Sequence, residues 1–159
     1  MKYKYIIPII IILLIVNSII QDKNWEKEKR IHDLISNDIK FSGVITDLKI
    51  SRNHDFGVIT IKIKETNRKE FNPILNAKYL FPYAIKDSVA EIYITVSSNL
   101  KKGDFVKVDS NNEEAIFSNA SGIIYRGQIL ITSEETNIDF VKENSALTKQ
   151  YLISILDNL

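Results

Sequence analysis

Cysteine is absent from this chain of 159 residues. Its absence removes disulfide staples, zinc–thiolate sites, thiol nucleophiles and the lipidated cysteine that anchors bacterial lipoproteins. Histidine is nearly absent too, with two copies, and there are only three prolines and five glycines. Imidazole-based acid–base or metal chemistry therefore has few places to arise. An excess of one charge is also missing: 21 Lys and Arg stand against 20 Asp and Glu, for a formal charge of +1. That balance supplies no broad basic field for a phosphate backbone, so nucleic acid is not an expected partner. What is present is an ordinary globular mixture, 45% apolar and 26% charged, long enough for one modest core. The bias toward Ile, Lys and Asn looks like the usage of an AT-rich bacterial genome.

One long hydrophobic run does occur. Lys2 and Lys4 lead into Tyr5 to Ile20, which carries no charge and is interrupted only by Pro8, Asn17 and Ser18. As a helix at about 1.5 Å per residue, such a run covers roughly 24 Å of a ~30 Å hydrocarbon layer. Tyr3, Tyr5 and Trp25 can sit at the two interfaces, and Lys2, Lys4 and Lys23 can snorkel. Residues 1–21 thus read as a membrane anchor or signal segment, touching the lipid bilayer through residues 5–20. A cleaved secretory signal is the competing reading, but Val16-Asn17-Ser18 followed by Ile19 and Ile20 departs from the small-residue cleavage pattern. The anchor is the preferred expectation. The short basic leader favours a single pass with the domain outside the cytoplasm, although Lys23, Lys27, Lys29 and Arg30 pull the other way. Residues 22–38 alternate in charge, with Glu26 and Arg30 four apart, and read as a juxtamembrane helix or charged stalk.

From Phe41 the pattern changes to the period of two, which defines a β-rich domain over residues 39–159. Val44, Thr46, Leu48 and Ile50 share one face of a first strand. After the polar turn Ser51–Asp55, a second strand points Ile59, Ile61 and Ile63 inward and Thr60, Lys62 and Lys64 outward, making a hairpin. Phe71 to Pro82 reads as irregular because of Pro73 and Pro82. Val89 to Val96 alternates again, with Ile92, Ile94 and Val96 opposite Glu91, Tyr93 and Thr95. The turn at Lys102-Gly103-Asp104 launches a short strand, and Glu114–Ser118 with Ile123–Thr132 forms another hairpin with Gly127 as a candidate bulge. After a cap at Asn144 or Ser145, the residues Leu147, Tyr151, Leu152, Ile155, Leu156 and Leu159 fall on one helix face. The expected fold is α+β: a small antiparallel curled or barrel-like sheet of five or six strands with a C-terminal helix, preceded by an N-terminal transmembrane or signal helix.

No catalytic constellation is visible. His32 and His54 belong to different elements, and neither lies beside a nucleophile motif. The pairs Glu113-Glu114 and Glu134-Glu135 lack the spacing of a calcium loop and read as solvated surface. Lys101-Lys102 has no Gly-rich phosphate loop after it. No cofactor, metal ligand set or catalytic residue is expected. The remaining binding candidates are the aromatics Phe71, Tyr79, Phe81 and Tyr83 around Pro73 and Pro82, which either form a partner-binding platform or are core beneath a long loop.

The order of Gly43, the His54–Gly57 turn, the Lys102-Gly103-Asp104 turn and the Asn119–Gly122 turn resembles uncharacterised bacterial β-barrel proteins with an N-terminal anchor. The likeness runs from Phe41 to Thr132, and the segment Phe71–Asp87 and the C-terminal helix depart from it. It implies fold and location and no activity. The expected function is that of a membrane-anchored or exported envelope protein whose small β-rich domain binds an envelope protein or small ligand without catalysis. The rivals are an enzyme with an atypical site near His54 and Asp55, which requires an enclosed pocket there, and an oligonucleotide-binding barrel, which requires a basic groove with stacked aromatics.

Overall fold

A computed structural model describes residues 6–76 and 79–156. The chain divides into two compact units, Met1–Leu34 and Ile35–Leu159. The first is the body of one helix, α1, which runs Ile6–Ile35. Pro8 falls within its first turn, where a missing N–H costs nothing, and Glu26 and Arg30 pair across one turn at 3.7 Å. The helix stops where Asn37 turns back onto the Ile35 carbonyl at 2.7 Å and Asp38 takes a left-handed φ of 58°. Among the described residues no helix is long and apolar enough to cross a membrane. Residues 1–5, the leader of the expected anchor, lie outside the described residues.

The second unit is built on an eight-stranded antiparallel sheet. The strands are β1 Lys40–Ile50, β2 Phe56–Thr66, β3 Glu70–Phe71, β6 Tyr83–Lys86, β7 Val89–Thr95, β8 Phe105–Asp109, β9 Glu114–Asn119 and β10 Gly122–Gln128. Their order in the sheet is β10-β9-β8-β1-β2-β7-β6-β3, and β4 Ile74–Asn76 pairs separately with β5 Tyr79–Leu80. The sheet curls without closing. β10 and β7 are not hydrogen-bonded neighbours, yet a Cβ built on Gly127 of β10 would lie 2.5 Å from Ile94 Cδ1 of β7. Five or six strands were expected; the sheet gains β3 and β6 at the two ends of the segment Phe71–Pro82 that was expected to be irregular, and β4 and β5 form within it. Pro73 and Pro82 stand beside the short strands rather than inside them, so the donors they lack are not needed in any ladder.

Alternation along the long strands separates two faces. Phe41, Ile45, Ile59, Ile61, Ile92, Val106, Val108 and Phe117 are all buried on the inner side of the curl. In β1 Phe41, Ser42, Gly43 and Ile45 are buried and the Val44 set is not, and register shifts fall at Ser42/Gly43 and Ile45/Asp47. Gly43 makes the first shift feasible, since a Cβ there would stand 2.2 Å from the Lys62 carbonyl oxygen. Gly127 is not the bulge in β10; the shift falls between Ile123 and Tyr125, and Gly127 instead lets β7 approach.

The other face of β2, β6 and β7 is covered by two helices, α2 Glu135–Asn144 and α3 Ala146–Leu156, where one was expected. Ile138, Val141, Leu147 and Tyr151 pack with Phe56, Val58, Leu80, Ala84 and Tyr93 in a second core. This is why Glu91 and Tyr93, on the side opposite Ile92 and Ile94, are buried as well. α2 escaped notice because only Ile138 and Val141 of its ten residues are buried, too few for a clear apolar stripe. Leu159 lies outside the described residues.

A candidate binding cleft at the open seam

The place where the sheet fails to close is a cleft of about 410 Å³, within the usual range of about 300–1,000 Å³ for small-ligand sites. Its walls come from the end of β7, from β10 and from the segment Leu130–Asn137 that leads into α2. That segment is fixed by paired backbone bonds between Leu80 and Thr132, at 3.0 and 2.9 Å. Phe56, Tyr93 and Tyr125 contribute aromatic rings to the lining, and the Tyr125 ring is held by stacking on Phe117 at 5.8 Å.

Two polar lining residues, Glu134 and Asn137, are preorganised. The Asn53 amide donates to Glu134 Oε1 at 2.8 Å and to Asn137 Oδ1 at 3.0 Å. Thr136 and the Asn137 amide also donate to Glu134, at 2.9 and 3.0 Å. These bonds tie the β1–β2 turn to the start of α2. They hold the Glu134 carboxyl below the usual carboxylate range, first through the Asn53 hydrogen bond and then through Thr136. No Lys, Arg or His lines the cleft among the described residues.

His54 and Asp55 lie beside this polar cluster but outside the cleft wall. Both are exposed, with left-handed φ values of 48° and 54° that make the tight β1–β2 turn. The neighbouring Phe56 lines the cleft and they do not. His32 is exposed on α1. Lys102 pairs with Asp47 at 2.6 Å, and Glu114 pairs with Arg126 at 2.8 Å. Among the described residues no group of three or more His, Asp or Glu is placed to hold a metal ion.

The aromatics named from sequence go elsewhere. Phe71, Phe81 and Tyr83 meet, with ring centroids 5.1 Å apart for Phe71–Phe81 and 5.0 Å for Phe71–Tyr83, and Phe41 adds an edge contact to Tyr83 at 5.9 Å. Tyr83 is fully buried, Phe81 is buried, and Phe71 is half-buried. Burial pushes the Tyr83 hydroxyl up to about 12, opposed by its hydrogen bonds to Asn37 and Ser110. Tyr79 stands apart in β5, half-buried.

The cleft residues Thr95, Tyr125, Gln128, Glu134 and Asn137 share no sequence spacing that would have found them. The one signal was Gly127, since a glycine inside a strand marks either a bulge or a close backbone approach. Comparison with family models finds no match to the chain, and comparisons with curated proteins and with solved structures find none either.

Proposed function

We propose that the chain is a membrane-anchored or exported envelope protein whose β-rich unit binds a ligand or partner in the seam cleft, without performing catalysis. The observation that carries the binding claim is the cleft itself, whose lining combines aromatic rings with polar side chains, Glu134 and Asn137 being already fixed by each other and by Asn53. The envelope location rests on the uncharged run Tyr5–Ile20 and its flanking lysines.

The chemistry of the lining favours binding over catalysis. Its one carboxylate, Glu134, is held ionised by three donors, whereas a general acid needs its proton affinity raised toward the working pH. The lining also carries no base positioned by a third group beside a nucleophile. An oligonucleotide would require cations that the lining does not supply.

The location is tested by membrane fractionation with protease protection and intact-mass measurement. Full-length chain in the membrane, digested only from the outer side, is the expected result; a soluble cytoplasmic chain would refute it. The binding claim is tested by photo-crosslinking from Leu130 in cells.

A further inference from the structure

We infer that the seam cleft takes a neutral, hydroxyl-rich ligand of the saccharide class; this rests on the reading of the cleft as a binding site. Three properties of the lining converge on that chemistry. The first is charge: the lining has one carboxylate and, among the described residues, no cation. An anionic ligand such as a phosphate ester would meet Glu134 with no cation in the lining to offset the repulsion.

The second is the kind of polar group present. Thr95 and Ser133 offer hydroxyls, and Gln128 and Asn137 offer amides, so the wall both donates and accepts. Sugar hydroxyls also do both. Asn137 uses only part of its capacity on Asn53 and Glu134. Gln128 has a single long contact to Glu113, at 3.5 Å. A wholly apolar ligand would strand these groups away from water.

The third is the apolar part of the lining. Tyr125 is half-buried, with its ring steadied by Phe117, and Leu130, which also lines the cleft, is exposed. Such a surface suits the C–H face of a pyranose ring, which is apolar while its rim is polar. A cationic peptide is the weaker fit, because the Glu134 oxygens that would pair with it already accept from Asn53, Thr136 and Asn137.

The test is a glycan array of neutral and acidic oligosaccharides, probed with the full chain in a detergent without a sugar headgroup. Binding to neutral glycans is expected, weakened about tenfold by Tyr125→Ala through loss of the ring surface. Gln128→Ala, an exposed change that spares the fold, is expected to weaken it severalfold, and Lys62→Ala, toward the other end of β2 from the cleft-lining Phe56, is expected to leave it unchanged. A preference for acidic glycans, or neutral binding insensitive to both cleft variants, overturns the inference. If no glycan binds while Leu130 still crosslinks a ligand in cells, the saccharide assignment fails and the cleft stands. Silence in both experiments removes both.

Discussion

The buried Glu91 carboxylate of β7 accepts the hydroxyl of Ser145, the residue that caps α3. It also accepts the Ala146 N–H at 3.0 Å and the Leu147 N–H at 3.4 Å, so one strand side chain satisfies the first donors of a helix. Tyr93 completes the cluster, its hydroxyl lying 3.3 Å from Glu91, 3.1 Å from Ser145 and 2.9 Å from Thr148. Glu91 is 1% exposed, and the positive end of the α3 dipole offsets its charge. Burial and the adjacent Glu91 carboxylate raise the Tyr93 hydroxyl well above the ordinary tyrosine range.

Removing Glu91 leaves several buried donors without an acceptor. Glu91→Ala is expected to destabilise the protein by about 3 kcal/mol or more, and Ser145→Ala by about 1–2 kcal/mol. Urea unfolding measures both, and the two losses should be less than additive because the residues share one network. A Glu91→Ala variant as stable as the parent would show that the network does not hold α3.

Gly43→Ala is expected to be among the most damaging single changes in the chain. Its Cβ would meet the Lys62 carbonyl carbon and oxygen at 2.9 and 2.2 Å, both backbone atoms that cannot move aside cheaply. A loss of about 3 kcal/mol, or failure to fold, is expected from such overpacking at a ladder position. Gly103→Ala has open space around it, but its φ of 94° makes the change costly by backbone strain alone, about 1 kcal/mol. Thermal denaturation should rank the two in that order.

Alkaline stability is expected to depend on Tyr83. Its folded-state hydroxyl titrates near 12 against an ordinary value of 10.0, so between these values the unfolded chain has lost a proton that the folded chain keeps. Stability is therefore intact below pH 10 and declines as the pH rises toward 12. Tyr83→Phe should flatten that decline in pH-dependent urea titrations, at the cost of the Asn37 hydrogen bond. An unchanged slope would place the alkaline sensitivity elsewhere, in Tyr93 or Tyr151.

Much of the architecture was legible where one face alone is buried. Ile59 and Ile61 pointed inward and Lys62 and Lys64 outward, as the alternation of β2 required. The cap at Ser145 and the buried Leu147 and Tyr151 of α3 were likewise readable. Legibility failed where tertiary contact overrides the local pattern. β7 carries Glu91 and Tyr93 on the face opposite Ile92 and Ile94, and nothing near Glu91 announces the helix more than fifty residues away that covers it. The short strands between Phe71 and Lys86 are held by neighbours rather than by their own propensity. The cleft was hidden for the same reason, since Asn53, Tyr125 and Asn137 meet only through the curl of the sheet and the return of α2.

Gly127→Ala is expected to perturb the cleft more than the fold. The added Cβ would press on Ile94 Cδ1 at 2.5 Å and on Tyr125 Cε1 at 2.9 Å, both side-chain atoms able to shift. A loss of about 1 kcal/mol in stability together with displaced Tyr125 ring resonances in NMR spectra is the expected outcome. Undisturbed Tyr125 signals would show that β7 and β10 are farther apart than the geometry gives.

The most direct test of the binding claim is photo-crosslinking in living cells, with p-benzoylphenylalanine placed at Leu130 in the cleft lining or at Lys62 toward the other end of β2 from the cleft. Both positions are exposed, so neither substitution needs the core to adapt. A discrete adduct from position 130 that is absent from position 62, and that is lost with Tyr125→Ala, is the result expected of a ligand seated in the seam. Adducts from position 62 with none from position 130 would contradict it, and would move the functional surface of this protein away from the seam toward the other end of β2.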